Sequence, residues 1–496
     1  MTSSDEPAGR AGAAHGRSTS ELVEALSGIV GPAHVTAGPD VRDEDTHDEA
    51  LTAAAVVPLA VVRPGSTAEV RQVLALADAR LVPVVARGSG TGLSGGAQPV
   101  ADGIVVAFDR MDRVIEIDDA NHVAVVEPGV TLAQLDDALR PHGLVYPVYP
   151  GEMTASVGGN VATNAGGMRA VRYGVTRHHV LGLEVALPGG DVLRTGGRYV
   201  KSSAGYDLTQ LLVGSEGTLG LVTEVTVKLV PRLAHTATVL APFAALGSVT
   251  AAVPPIVASG LAPLVLEYVD ALVMAGITAA AGLDLGIPQE VRDEAAAYLV
   301  VVLESAHADR LDGDVEAAAE LLTHLGALDV YVLPPSAGAE MIAARERAFY
   351  VAKSAGADDI VDAVVPRARI PDFLAESASL AAAHGALVTG CGHVGDGNVH
   401  LSVFQPDGEE RHALLQALFE SAVRLGGAVS GEHGIGTVKR SYFLSLEDPV
   451  KVALMRRIKA AFDPHGILGP GRLPGDGPPP PGTATTGGEL ASGAVR

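Results

Sequence analysis

Short apolar runs separated by polar and glycine-rich stretches set the rhythm of the first half of the chain. Residues 59–62 form a run that stops at Pro64, so a strand is predicted there. Ser66 and Glu69 are spaced as a capping box and open an amphipathic helix to about residue 79. Strands are predicted over 82–86, 104–108, 114–117 and 123–126, and Thr131 starts a helix to about 139. Residues 183–187 and 192–193 flank Pro188-Gly189-Gly190-Asp191 as a β-hairpin. A strand over 222–230 ends at Pro231.

From about residue 233 the pattern changes to helices alternating with strands. Strands are predicted over 264–268, 298–303, 330–333 and 401–404, and helices over 315–325, 337–349, 412–425 and 450–462. That alternation is α+β, a sheet with helices on one face. A short helix is predicted over 20–29. Residues 1–18 and the Pro- and Gly-rich stretch after 473 have the composition of disordered tails.

At 496 residues, with 47% hydrophobic positions, the chain supports two or three cores. Its net charge of −23 repels nucleic acid and anionic membranes and is read as a solubilising surface. A single cysteine, Cys391, forbids an intrachain disulfide and fits a reducing compartment. The N-terminal stretch lacks the apolar run of a secretion signal. The longest apolar reach, 261–277, is broken by Glu267 and Asp270, so no membrane span is predicted.

Chemistry concentrates in five glycine-rich stretches. Residues 87–96, Arg-Gly-Ser-Gly-Thr-Gly-Leu-Ser-Gly-Gly, can close backbone N–H groups on an anion, with Arg87 adding charge. Gly90, Gly92 and Gly95 spell G-x-G-x-x-G, but Pro99 and a strand follow where that fingerprint needs a helix. Without a Lys-Ser/Thr ending it is not an NTPase loop either. Residues 150–167 form a loop of small and hydrogen-bonding residues that would admit a flat ligand, and 214–220 form a third. Further on, His393 and His400 lie seven apart on a glycine-rich turn entering a strand, and Glu432-His433 lie between glycines. Two His and one Glu are the ligand set of a catalytic divalent ion, with His433 then free to move protons. Ordinary turn residues remain the alternative on these stretches alone.

Taken together in this order, residues 87–96, 157–167, 201–208, 214–220, 392–400 and 431–436 resemble the FAD-linked oxidoreductases of the vanillyl-alcohol oxidase and p-cresol methylhydroxylase type. Within them the similarity is greatest to D-lactate dehydrogenase, the glycolate oxidase flavoprotein subunit and D-2-hydroxyglutarate dehydrogenase. It covers about residues 50–473. The resemblance implies a helical lead-in over 19–52 and a two-subdomain FAD-binding domain over 53–232. A substrate and metal domain over 233–473 follows, α+β with an antiparallel sheet and a C-terminal helical segment.

By the same resemblance, Arg87, Gly88, Ser89, Gly90, Thr91, Gly92, Ser94 and Gly95 hold the FAD pyrophosphate. Pro150, Gly151, Thr154, Ser156, Val157, Gly158, Gly159, Asn160, Thr163, Asn164, Gly167, Glu216, Gly217 and Val222 contact the flavin and ribityl chain. Ser89 and Thr91 stand in a loop where covalently flavinylated members often carry His, which implies noncovalent FAD. His393, His400 and Glu432 match metal ligands, with zinc the expected ion. His433 matches the general base, and Arg345 an arginine that grips the substrate carboxylate. Tyr149 and Gly469 depart from the family's usual Asp and Asn. Phe349 and Ile360 replace Thr and Lys of the hydroxyglutarate enzyme, which favours a smaller or more apolar acid.

The implied reaction oxidises a lactate- or glycolate-like D-2-hydroxy acid to the 2-oxo acid, with hydride passing to flavin N5. The alternatives are a D-2-hydroxyglutarate dehydrogenase, another flavoenzyme of the same fold, and a non-catalytic electron-transfer subunit. The expected setting is cytoplasmic, with peripheral membrane attachment through an acceptor partner as a variant. Quinone, cytochrome, flavoprotein and oxygen stand open as acceptors, as does a homodimer.

Overall fold

The computed structural model describes residues 9–474. The first helix runs Gly9–Val30, longer than the 20–29 segment predicted. Residues 9–18 are therefore helical rather than a disordered tail, while 1–8 and 475–496 lie outside the described residues.

The first half builds two sheets. One has the order Val35–Thr36, Ala60–Val62, Ile104–Ala107, Val84–Arg87, and its last three strands are parallel. Helix Thr67–Arg80 makes the crossover, capped by Ser66 Oγ accepting from Glu69 N (3.3 Å). Glu69 returns its carboxylate to Gly65 N (2.7 Å) and not to the cap residue. The glycine-rich stretch 88–96 follows the C-terminal end of Val84–Arg87, where parallel sheets place their ligands. The second sheet is antiparallel, in the order Val114–Asp118, Val123–Val126, Leu221–Lys228, Val180–Ala186, Val192–Gly196. Between the sheets the 150–167 stretch is not all loop. Ser156 caps a two-turn helix, Val157–Thr163.

The second half is a seven-stranded antiparallel sheet. Its order is Tyr331–Leu333, His235–Phe243, Ala297–Ser305, Val265–Asp270, Leu387–Gly392, Asn398–Phe404, Asp359–Val364. Helices lie on both faces, not one. On the first face Ala308–His324, Ile370–Ala383 and Gly408–Arg424 bury Phe243, Leu299, Phe373 and Phe419. On the second, Ala271–Ala281 and Pro335–Glu346 cover only half of the sheet, through Met274, Ile277 and Met341. The pattern missed this because helix Ala271–Ala281 is alanine-rich with apolar residues all round, so it shows no amphipathic stripe; of the two, only the second was predicted. The helix predicted over 337–349 also breaks at Arg347, and a new one runs Ala348–Ser354.

The uncovered half of that second face looks toward the first half of the chain. Cross-strand register sets Asp362 opposite His400, and His400 opposite Cys391, so the three side chains share that face. Their neighbours Val361, Ala363, Val399 and Leu401 point into the helix-covered core. After helix Pro449–Phe462 the chain returns to the first half. Leu468 bridges to Val84, and Lys459 Nζ donates to the carbonyls of Thr218 and Leu468 at 2.8 Å each.

Candidate functional site

A cleft of about 1380 Å³ runs between the two sheets of the first half. Gly88, Ser89, Gly90, Thr91, Gly92 and Ser94 form one wall. Pro150, Ser156, Gly158, Gly159, Asn160 and Thr163 form the second, and Glu216, Gly217 and Val222 the third. Ser94 Oγ and Asn160 Nδ2 are buried there without a hydrogen-bond partner among the described residues. Buried polar groups are seldom left unpaired, so these two fit a ligand rich in acceptors, as FAD is.

Other residues expected to touch the cofactor do not face this cleft. Arg87 turns its guanidinium to the His47 carbonyl (2.7 Å) and toward Asp45 (3.9 Å), so it braces the loop from behind. Val157 is in the core, Thr154 bonds Glu152, and Asn164 accepts from Arg177 N (3.0 Å). Gly167 packs against the Tyr149 carbonyl, Gly95 packs on Thr437, and Gly151 lines a neighbouring chamber.

That chamber, of about 820 Å³, joins the cleft through Thr91, Leu93, Pro150, Glu152, Glu432 and His433. Arg345, Phe349, Ile360, His393 and His400 are also in its wall. At the junction one ligand atom each from His393, His400 and Glu432 lies within 4.8 Å of the others. Glu432 Oε1 is 3.0 Å from His393 Nε2 and 3.3 Å from His400 Nε2. Both rings thus aim the same nitrogen at one carboxylate oxygen. Two imidazoles and a carboxylate converging this closely fit a divalent ion. Burial pushes the Glu432 carboxyl up, but the charge and hydrogen bond of His393 outweigh it and hold the group well below the usual range.

His433 stacks on His400 at 4.9 Å with planes 6° apart, and its Nε2 is 4.0 Å from Glu432 Oε1. It borders the ligand set without closing it. Burial draws its pKa down to about 4, against the pull of Asp362, so the ring is neutral near neutral pH. Arg345, in the last turn of Pro335–Glu346, is 7% exposed. Its Nη2 is 2.8 Å from Glu267, while Nε has no hydrogen-bond partner among the described residues.

The sequence reading missed two buried carboxylates. Glu267 accepts from His393 Nδ1 at 2.5 Å, which fixes the ring with Nε2 toward Glu432. Asp362 Oδ2 accepts from Ser430 Oγ (2.6 Å) and from the N–H groups of Gly431 (3.0 Å), Glu432 (3.1 Å) and His433 (2.9 Å). An acid in the middle of an apolar strand was the available signal for each. Glu216 lines the cleft, but its carboxylate is spent on Ile435 N (2.8 Å) and Gly436 N (2.7 Å). Gly436 has φ +52°, and a Cβ there would sit 1.8 Å from the Ser94 carbonyl, so the turn meets the first glycine-rich loop directly.

Comparison with known proteins matches residues 58–196 to an FAD binding domain and 232–473 to the C-terminal domain of FAD linked oxidases. The chain is 55% identical to an uncharacterised FAD-linked oxidoreductase of Mycobacterium tuberculosis, over 92% of this chain and all of that one. It is 39% identical to a D-lactate dehydrogenase of Archaeoglobus fulgidus, over 83% of this chain and 90% of that one. Among solved structures, p-cresol methylhydroxylase superposes with a TM-score of 0.77 at 20% identity, covering 91% of this chain and 96% of that one. Among the described residues no helix is long and apolar enough to cross a membrane.

Proposed function

The chain belongs to the family of FAD-linked oxidoreductases acting on hydroxy acids, and on that footing we propose that it oxidises a D-2-hydroxy monoacid to the 2-oxo acid, using noncovalent FAD, a divalent ion, zinc by expectation, and His433 as base. The observation that carries this reading is the meeting of His393, His400, Glu432, His433 and Arg345 where the flavin cleft opens into the chamber. Among the described residues, no Cys, Tyr or His other than His433 lines the flavin cleft, which supports noncovalent attachment.

When bound, FAD supplies the two-electron acceptor, and an ion on His393, His400 and Glu432 supplies the charge that acidifies the substrate hydroxyl. Arg345 binds the substrate carboxylate through its free Nε edge, and its ion pair with Glu267 holds the guanidinium in place. His433 takes the hydroxyl proton at Nε2, the nitrogen that faces Glu432. Asp362 holds the turn carrying both Glu432 and His433, so ligand and base keep one spacing.

The test is anaerobic. A yellow preparation mixed with D-lactate should bleach, and the L-enantiomer should leave the colour. Bleaching by no 2-hydroxy acid would replace this reading with a non-catalytic flavin-carrying role.

A further inference from the structure

The chamber beyond the ion ligands has two kinds of wall. One is apolar and made by Met168, Val273, Phe349 and Ile360. The other carries two carboxylates, Glu152 and Glu346. Glu152 Oε1 accepts from Thr154 N (2.9 Å), and its Oε2 accepts from Tyr350 O–H (3.0 Å). Glu346 accepts from Tyr149 O–H. These partners are neutral, and neither carboxylate has an ion-pair partner among the described residues. Burial pushes the Glu346 carboxyl up, against the opposing pull of the Tyr149 hydrogen bond and of Arg169, which stacks 4.4 Å over the Tyr149 ring outside the chamber. The one guanidinium in the chamber wall, Arg345, already faces Glu267 and is assigned to the substrate's own carboxylate.

Resting on the functional reading above, we infer that Glu152 and Glu346 make the chamber selective for hydroxy acids with a single carboxylate and an uncharged apolar side chain larger than methyl. A second carboxylate would enter a space that holds two like charges and offers no free cation. At an effective dielectric of about 20, one like charge roughly 12 Å away already costs about tenfold in affinity. A methyl group would leave the apolar wall uncovered, and each further buried CH₂ is worth about fourfold.

The test uses the FAD-loaded enzyme and anaerobic flavin bleaching by D-lactate, D-2-hydroxyisocaproate and D-2-hydroxyglutarate. The expected kcat/KM for hydroxyisocaproate exceeds that for lactate by about tenfold or more, and that for hydroxyglutarate by about a hundredfold. In the double variant Glu152→Gln, Glu346→Gln, amides still accept from both tyrosines. There the ratio of hydroxyisocaproate to hydroxyglutarate should fall by roughly tenfold per charge removed. A wild type that takes hydroxyglutarate as well as hydroxyisocaproate overturns the inference, and so does a folded double variant with an unchanged ratio. If the variant does not fold, the wild-type series alone decides. Bleaching by none of the three acids removes the functional reading as well, whereas equal bleaching by all leaves 2-hydroxy-acid oxidation standing and sinks the selectivity for monoacids.

Discussion

Asp362→Asn is the sharpest probe of how the site is held. The substitution keeps shape and removes one charge, and the surroundings admit neither orientation of the new amide. Oδ2 faces four donors from the 430–433 turn, and Oδ1 faces the Asn398 amide nitrogen at 2.7 Å. Whichever way the substituted side chain is turned, its NH₂ group meets donors. Lys439, 2% exposed with Nζ 3.6 Å from Asp362 Oδ2, also loses its nearest anion. An uncompensated buried charge costs about 3–5 kcal/mol, and each stranded buried donor about 1–3 kcal/mol. Denaturant unfolding of the purified variant should therefore show a loss of at least about 3–5 kcal/mol, with turnover falling at least a hundredfold as the turn shifts. Adding Lys439→Met should restore roughly 2 kcal/mol of stability and none of the turnover, because the turn still lacks its acceptor. An Asp362→Asn enzyme within about 1 kcal/mol of wild type and fully active would refute this account of the turn.

His393→Ala, His400→Ala and Glu432→Ala should each lose bound metal and turnover while keeping FAD, whereas His433→Ala should lose turnover alone; elemental analysis beside the flavin spectrum separates them. Glu267→Gln should weaken metal binding by about 10–100-fold, because the orienting carboxylate behind His393 is gone; a chelator competition assay reads this directly. Arg345→Lys should raise KM by an amount worth about 2–3 kcal/mol with FAD affinity intact, since an ammonium cannot present a planar edge to a carboxylate. Acid precipitation should release all the yellow colour to the supernatant, and colour in the pellet would mean covalent flavin.

Local chemistry was legible in the sequence at most of the glycine-rich positions, Gly95, Gly151 and Gly167 aside. The glycine-rich stretches 88–94, 150–163 and 216–222 all reach the cleft, because close approach of a ligand needs residues without bulk. His393, His400 and Glu432 lie together, which their linear spacing alone did not require and the family resemblance implied. What stayed hidden depends on side-chain direction and on distant partners. Arg87 reads as a phosphate ligand until Asp45 and the His47 carbonyl are seen to take it. Strand His235–Phe243 was missed because Pro242 breaks the pattern. The proline is tolerated since the neighbouring strand Tyr331–Leu333 reaches only residues 238–240. Glu267 interrupts an apolar run and read as a reason against a membrane span. It is also a fully buried carboxylate between His393 and Arg345.

The 430–436 turn belongs to neither half alone. Asp362 in the second half's sheet accepts from the N–H groups of Gly431, Glu432 and His433, and Glu216 in the flavin loop accepts from those of Ile435 and Gly436. The reverse tie comes from Arg472, 1% exposed, which donates to the carbonyls of Gly96 (2.7 Å), Gly95 (3.3 Å) and Gln98 behind the first loop. Residues far apart in sequence therefore set the distance between the 214–220 loop and the Glu432-His433 pair, through main-chain N–H and C=O groups. This is why truncating a ligand side chain should spare FAD. The bonds from Glu216 and Asp362 run to main-chain N–H groups, which survive His393→Ala or Glu432→Ala unchanged. Loss of Asp362 itself removes the anchor of the turn rather than a side chain on it, and so it moves Glu432 and His433 together.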